Sequence, residues 1–215
     1  MRSLVVHEIY ASLQGESSFA GIPCAFVRLT GCNLRCSWCD TPQAFHDGKR
    51  LSFDEIIEST IALNTPLVEL TGGEPLLQKQ CLALLEEFAD LGKTVLLETS
   101  GERDISGVDS RVHRIMDLKA PGSGEVDRNL WENIAHLTKR DEVKIVVTDR
   151  RDFEWAMQVN NEHALSERVA HLWLSPVFSV LDPKELASWI LAVPSGARMQ
   201  LQQHKYIWGP DTPGV

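Results

Sequence analysis

The sequence predicts an α/β fold: an incomplete (βα) barrel with a mostly parallel sheet and fewer helices than a full eight-fold barrel. Three observations lead there. Short apolar runs alternate with amphipathic stretches along the chain, the pattern of parallel strands joined by helical crossovers. Polar or glycine-rich turns follow several of those runs directly, where sites form at the carboxyl ends of parallel strands. The chain has 215 residues, short of the roughly 250 that a complete barrel takes.

The elements follow in chain order. Residues 1–23 read as an extension ahead of the first strand and 203–215 as a tail, both belonging to one domain spanning 1–215. Apolar runs predict strands at 24–29, 67–70, 94–97, 113–116, 142–147, 171–174 and 199–201. Ser52-Phe53-Asp54-Glu55 has the form of a capping box and opens a helix to about 63. Helical periodicity over 76–91 ends at Gly92, a helix stop. A third helix is expected over 152–170. Asp182-Pro183-Lys184-Glu185 opens a fourth, with Asp as cap and Pro at the first helical position. Four turns after strands should converge on one face: Thr71-Gly72-Gly73-Glu74, Glu98-Thr99-Ser100-Gly101, Asp117-Leu118-Lys119 and Ser175-Pro176-Val177.

Composition narrows the function. With 21 basic and 30 acidic residues the net charge is −9, which disfavours a nucleic-acid partner needing a basic stripe. No apolar run reaches the ~20 residues of a membrane span. Glu8 interrupts the N-terminal segment before any signal core develops, so a cytoplasmic protein is expected. The cysteine count is five, an odd number, and three of them crowd together. In a reducing compartment that pattern points to metal or redox chemistry and not to disulfides.

The three lie in Gly31-Cys32-Asn33-Leu34-Arg35-Cys36-Ser37-Trp38-Cys39-Asp40-Thr41, directly after the first predicted strand. Thiolates at this spacing can wrap one iron–sulfur cube and leave one iron open to a ligand. A zinc site is the alternative; it wants a fourth protein ligand, which His46 could supply. Cys24 and Cys81 read as small buried apolar residues.

The C-x3-C-x2-C spacing resembles the signature of the radical S-adenosylmethionine superfamily, and the fold expectation becomes a barrel of the radical SAM type. The resemblance implies a 4Fe–4S cluster on Cys32, Cys36 and Cys39, with S-adenosylmethionine chelating the open iron and cleaved to a 5′-deoxyadenosyl radical. It places Trp38, Cys39 and Asp40 beside the cofactor, with Trp38 also serving as packing over the cluster. Gly73 and Glu74 match a GGE motif that contacts the methionyl amine. Ser100, Asp117, Leu118, Lys119, Ser175, Pro176, Val177 and Phe178 fall where similar proteins contact the cofactor. Each of these turns could equally be a helix cap or a polar turn.

The N-terminal motif Leu13-Gln14-Gly15-Glu16, together with Arg28, Cys39-Asp40-Thr41 and the C-terminal Gln202-Gln203-His204-Lys205-Tyr206, resembles the 7-carboxy-7-deazaguanine synthase family. The family pattern has a glycine where this chain has Ser17. The resemblance implies ring contraction of 6-carboxy-5,6,7,8-tetrahydropterin with loss of ammonia, S-adenosylmethionine used catalytically, and Mg²⁺ on the hydroxyl of Thr41. It implies substrate contacts from Leu13, Gln14, Gly15, Glu16, Arg28, Thr71, His204 and Val215; His204 could instead stand in solvent. A two-pronged contact from Arg28 suits the substrate carboxylate. A homodimer and a flavodoxin- or ferredoxin-like electron donor are implied as well. The rival readings are a glycyl-radical enzyme activase and a non-enzymatic Fe–S or zinc-binding module.

Overall fold

The computed structural model describes every residue except Met1, Asp211, Pro213 and Val215. Its strands are β1 (Ser3–Leu13), β2 (Pro23–Leu29), β3 (Lys49–Ser52), β4 (Leu67–Gly72), β5 (Thr94–Thr99), β6 (His113–Asp117), β7 (Glu142–Val147), β8 (His171–Pro176) and β9 (Arg198–Met199). The helices are α1 (Phe53–Ala62), α2 (Cys81–Asp90), α3 (Arg150–His163), α4 (Leu165–Arg168), α5 (Pro183–Ala192) and α6 (Gln203–Ile207). All nine strands join one open sheet in the order β3-β1-β2-β4-β5-β6-β7-β8-β9. From β2 to β9 neighbours run parallel, whereas β1 pairs antiparallel with both β2 and β3.

Strand alternation divides the interior in two. Val27, Leu29, Val68, Leu70, Val95, Leu97, Val143 and Ile145 face the helix layer and form the main core. The opposite faces of the same strands line the concave lumen. Its floor is a second apolar cluster of Cys24, Phe26, Leu67, Leu96 and Ile115, with Tyr10 and Phe19 packed on it. Further along the same faces the side chains turn polar, so charge is layered over an apolar plug.

Residues 1–23 are more than an extension, because β1 is integral to the sheet. A register irregularity lies between Val6 and Glu8, and such a bulge switches which face successive side chains reach. Leu4 and Val6 pack on the helix side, while Glu8 and Tyr10 open to the lumen. That switch hides the strand's period in the sequence. The expected helix at 76–91 begins later, at α2, after a 3-10 turn over Pro75–Leu77. The 152–170 helix breaks at Ala164, which takes φ 50°. The β5–β6 connection carries no helix and the β6–β7 connection only 3-10 turns, consistent with a barrel that has lost helices. The β9 strand is one residue earlier and shorter than expected.

The loop after β1 folds back on itself. Gly21 N–H donates to Gln14 O at 2.7 Å and Gln14 N–H to Ile22 O at 2.9 Å. Ser17 adopts φ 60°, the left-handed conformation that glycine takes most cheaply; its hydroxyl accepts Phe19 N–H at 3.2 Å. Glu142 on β7 clasps the loop: its carboxylate accepts the Ser18 N–H and hydroxyl and, on its other side, the Trp173 indole N–H at 2.6 Å. Replacing Glu142 with Ala strands those donors, and the expected cost is about 1–3 kcal/mol. Urea denaturation measures it, and faster proteolysis within 14–22 should accompany it.

Candidate functional site

The cysteine loop leaves β2 and is pinned from several sides. Leu34 is buried beneath it. Ser37 donates its N–H to Ser123 O at 3.0 Å and its hydroxyl to Gly122 O at 2.8 Å. The Arg35 guanidinium lies 4.3 Å over the Phe45 ring and donates to Cys32 O at 2.9 Å. Cys32, Cys36 and Cys39 all border the cavity, whereas Cys24, in its apolar floor, and Cys81, in the main core, are fully buried and do not line it. Burial pushes the Cys32 thiol up against a hydrogen bond from Leu34 N–H, and it pushes the Cys36 thiol up against Lys119. Among the described residues no three His, Cys, Asp or Glu side chains converge as one ion requires.

The turn after β4 presses on this loop. A Cβ at position 73 would collide with Gly31 O and the Cys32 Cβ, so only glycine allows the approach. Glu74 is fully buried and accepts from Leu76 N–H (2.9 Å), the Thr99 hydroxyl (3.0 Å), and the Ser100 N–H and hydroxyl (both 2.7 Å). Its carboxylate is consumed in bracing Thr99 and Ser100, which do line the cavity. The side chain of Glu74 itself does not.

A charged layer lies across the lumen. Lys144 donates to Glu16 at 2.6 Å and to Glu98 at 2.5 Å. Burial works against its ammonium, but the two carboxylates hold it well above the usual lysine range. Burial likewise pushes Glu98 up, and Lys144 overcomes that and holds it down. Gln14 donates its amide to Glu69 and accepts Glu16 N–H at 2.8 Å. Beside them Arg28 bonds Glu8 and the Tyr10 hydroxyl, each at 2.7 Å, and Thr71 sits opposite Arg28 in the β2–β4 register.

The C-terminal segment closes over this layer. Gln203 N–H donates to Gly15 O at 3.0 Å, and Gln202 bridges Glu16 at 2.7 Å and Asp40 at 3.3 Å. Lys205 pairs with Asp40 at 2.9 Å. The His204 ring lies so close over Gly15 that a side chain there would strike it. Burial pushes His204 down, although Glu16 and Asp40 pull it up. The result is one cavity of about 800 Å³, toward the upper end of small-molecule sites.

All four turns expected to converge contribute to this cavity, through Thr71 to Gly73, Glu98 to Ser100, Asp117 with Lys119, and Val177 with Phe178. So do Trp38, Asp40, Thr41, Arg28, His204 and the segment 13–16. The hydroxyl of Thr41 caps nothing in the 3-10 turn that follows it. Leu118, Ser175 and Pro176 are not among the lining residues: Leu118 belongs to the main core, Ser175 is buried, and Pro176 faces a shallow neighbouring groove. Val215 lies outside the described residues. Sequence reasoning missed Glu8, Tyr10, Glu69, Lys144, Gln202 and Lys205 as site residues, all of them lining the cavity. The available signal was a charge inside an apolar strand, as in Leu67-Val68-Glu69-Leu70 and Val143-Lys144-Ile145.

The Radical SAM superfamily profile matches residues 26–128, from β2 through the cysteine loop and past β6. Crystalline QueE from Escherichia coli shares the fold, with a TM-score of 0.76 at 21% identity over 94% of this chain and 95% of that one. Fold and site together define a radical S-adenosylmethionine enzyme. Among curated relatives, a 7-carboxy-7-deazaguanine synthase from Koribacter versatilis is 45% identical over 98% of this chain and 99% of its own. One from Chlorobaculum tepidum is 46% identical over 99% and 97%. The chain belongs to the 7-carboxy-7-deazaguanine synthase family, which sets aside the activase and the non-enzymatic module.

The clamp between tail and cysteine loop has a defined pH dependence. Burial pushes the Asp40 carboxyl up, but Lys205 and Lys144 outweigh it and hold it down at about 2. A depressed carboxylate contributes stability that is complete above its unfolded value of about 3.9 and lost as pH falls toward the folded one. The stability difference between the protein and its Lys205→Met variant should therefore hold constant from pH 7 to pH 5. Below about pH 4 it should shrink, as urea titrations at each pH will report.

Proposed function

We propose that this chain converts 6-carboxy-5,6,7,8-tetrahydropterin to 7-carboxy-7-deazaguanine with loss of ammonia, a step of 7-deazapurine and queuosine biosynthesis. The observation that carries the reading is the meeting, in one cavity, of the three-cysteine loop with the Lys144-centred charged layer and the 13–16 loop. When bound, the 4Fe–4S cluster and S-adenosylmethionine supply a 5′-deoxyadenosyl radical for hydrogen abstraction at C6.

In this proposal Cys32, Cys36 and Cys39 hold the cluster. The two remaining cysteines are buried and do not line the cavity, so a cluster held there would have three thiolates from this chain and room for a cofactor ligand. Gly73 gives the cofactor backbone to approach, Ser100 and Asp117 offer hydrogen-bonding groups, and Trp38, Val177 and Phe178 offer apolar walls. Glu74 acts indirectly, by fixing Ser100. Lys119, paired with Asp117 at 2.7 Å, is a nearby cation for an anionic cluster. Thr41 supplies an oxygen donor for Mg²⁺, a hard cation.

Substrate binding falls to the other side of the cavity. Arg28 uses two of its nitrogens on Glu8 and Tyr10, which fixes its plane and leaves Nη1 for a carboxylate. Gln14, Glu16, Thr71 and His204 surround the space for the ring, and the tail excludes water above it. His204, pushed down by burial, serves as a neutral hydrogen-bonding group. A homodimer is supported by two open sheet edges, β3 and β9, and by exposed Leu191, Tyr206 and Ile207. No helix among the described residues is long and apolar enough to cross a membrane. A cytoplasmic setting would supply the flavodoxin- or ferredoxin-like reductant.

Anaerobic reconstitution with reductant, S-adenosylmethionine, Mg²⁺ and 6-carboxytetrahydropterin should yield 7-carboxy-7-deazaguanine by mass spectrometry. Formation of 5′-deoxyadenosine without that product would sink the substrate assignment. Alanine at Cys32, Cys36 or Cys39 should abolish the cluster's absorbance. Thr41→Ala should retain it while weakening the response to Mg²⁺; an unchanged Mg²⁺ titration would remove Thr41 from that role.

A further inference from the structure

Glu69 is the carboxyl that the charged layer leaves without a cation of its own. Glu16 and Glu98 share Lys144, Asp40 has Lys205, Asp117 has Lys119 and Glu8 has Arg28. Among the described residues Glu69 has only the Gln14 amide, on Oε2. Its Oε1 is buried with no partner among the described residues, and the residue as a whole is 1% exposed. Strand register sets it between Phe26 and Leu96, at the apolar floor, and it borders the cavity. A buried oxygen left unsatisfied is costly, and such a group calls for a partner that arrives with the ligand.

We propose that Glu69 is a specificity-determining residue whose Oε1 hydrogen-bonds the heterocyclic ring of the bound substrate. The assignment deepens the proposed function and rests on its reading of the substrate as a pterin. The protonation state follows from the surroundings. Burial, then Glu98 and Glu16, push the carboxyl well above its ordinary value, and Lys144 and Arg28 only partly offset them. The other titratable groups facing it are uncharged: burial pushes the Tyr10 hydroxyl up to about 12 and the Cys24 thiol higher still. These surroundings favour the protonated form of Glu69. With the Gln14 N–H on Oε2, Oε1 is the oxygen left to carry the proton and offer it to a bound ring. A pterin edge provides carbonyl and ring-nitrogen acceptors for it.

The test is equilibrium binding of 6-carboxytetrahydropterin to the unreduced, cluster-loaded protein with S-adenosylmethionine present. Glu69→Leu should raise Kd about tenfold, whereas Glu69→Gln, whose carbonyl can accept from Gln14 while its amide donates to the ring, should hold the loss to about threefold. An unchanged Kd in Glu69→Leu, or an equal loss in both variants, would overturn the proposal. If Glu69→Leu loses the cluster's absorbance, the pH profile decides. Wild-type affinity should weaken on the alkaline side as Glu69 ionises while Glu69→Gln stays level, and parallel profiles would count against the assignment. Product formation by the wild-type chain is read separately: its absence removes the pterin reading itself, whereas product with an indifferent position 69 removes this inference alone.

Discussion

The site depends on one buried ammonium. Lys144 is inside the lumen with carboxylates on two sides, Glu16 from the N-terminal loop and Glu98 from β5. Removing a charge from water is costly, and a buried ion survives only where partners of opposite sign are held in place. Here the loop must come back over the sheet to supply one of them. Two residues earlier on the same face of β7, Glu142 holds Ser18 and Trp173. Alternation along one strand thus sets both anchors of the loop, and Gln14, Gly15 and Glu16 acquire a fixed position they could not hold alone.

The same layer passes the constraint to the tail and the cysteine loop. Glu16 accepts from Gln202, which also reaches Asp40, one residue beyond Cys39. Lys205 reinforces that link. The 14–16 loop and the segment 202–205 therefore meet over the lumen, and the latter leans on the cluster loop. The opposite wall is held differently: Glu74 gathers the ends of β4 and β5, and Gly73 lets the backbone touch the cysteine loop. A redox half braced by hydrogen bonds and a recognition half braced by buried charge share one cavity.

Much of this was legible beforehand, for identifiable reasons. The parallel strands announced themselves because both faces are covered over much of their length, giving continuous apolar runs. The cysteine loop and the glycine turns were readable because their chemistry demands rare residues at fixed spacing. The β1 strand was not, since the irregularity near His7 reverses its inward face and mixes His7, Glu8 and Tyr10 into an otherwise apolar pattern. Glu74 was marked by its motif, but its bonds to Leu76, Thr99 and Ser100 arise from packing that the motif does not show. Glu69 and Lys144 were visible as charges within apolar strands, but their mutual arrangement depends on registers across several strands.

The central claim is that the buried charge organises recognition separately from the cluster. Lys144→Met, assayed anaerobically for 7-carboxy-7-deazaguanine and 5′-deoxyadenosine in the same sample, tests it most directly. The account predicts retained cluster absorbance and continued 5′-deoxyadenosine formation, with the product yield per 5′-deoxyadenosine falling at least about tenfold, the scale of one lost charge-assisted contact. An unchanged ratio of product to 5′-deoxyadenosine would contradict it.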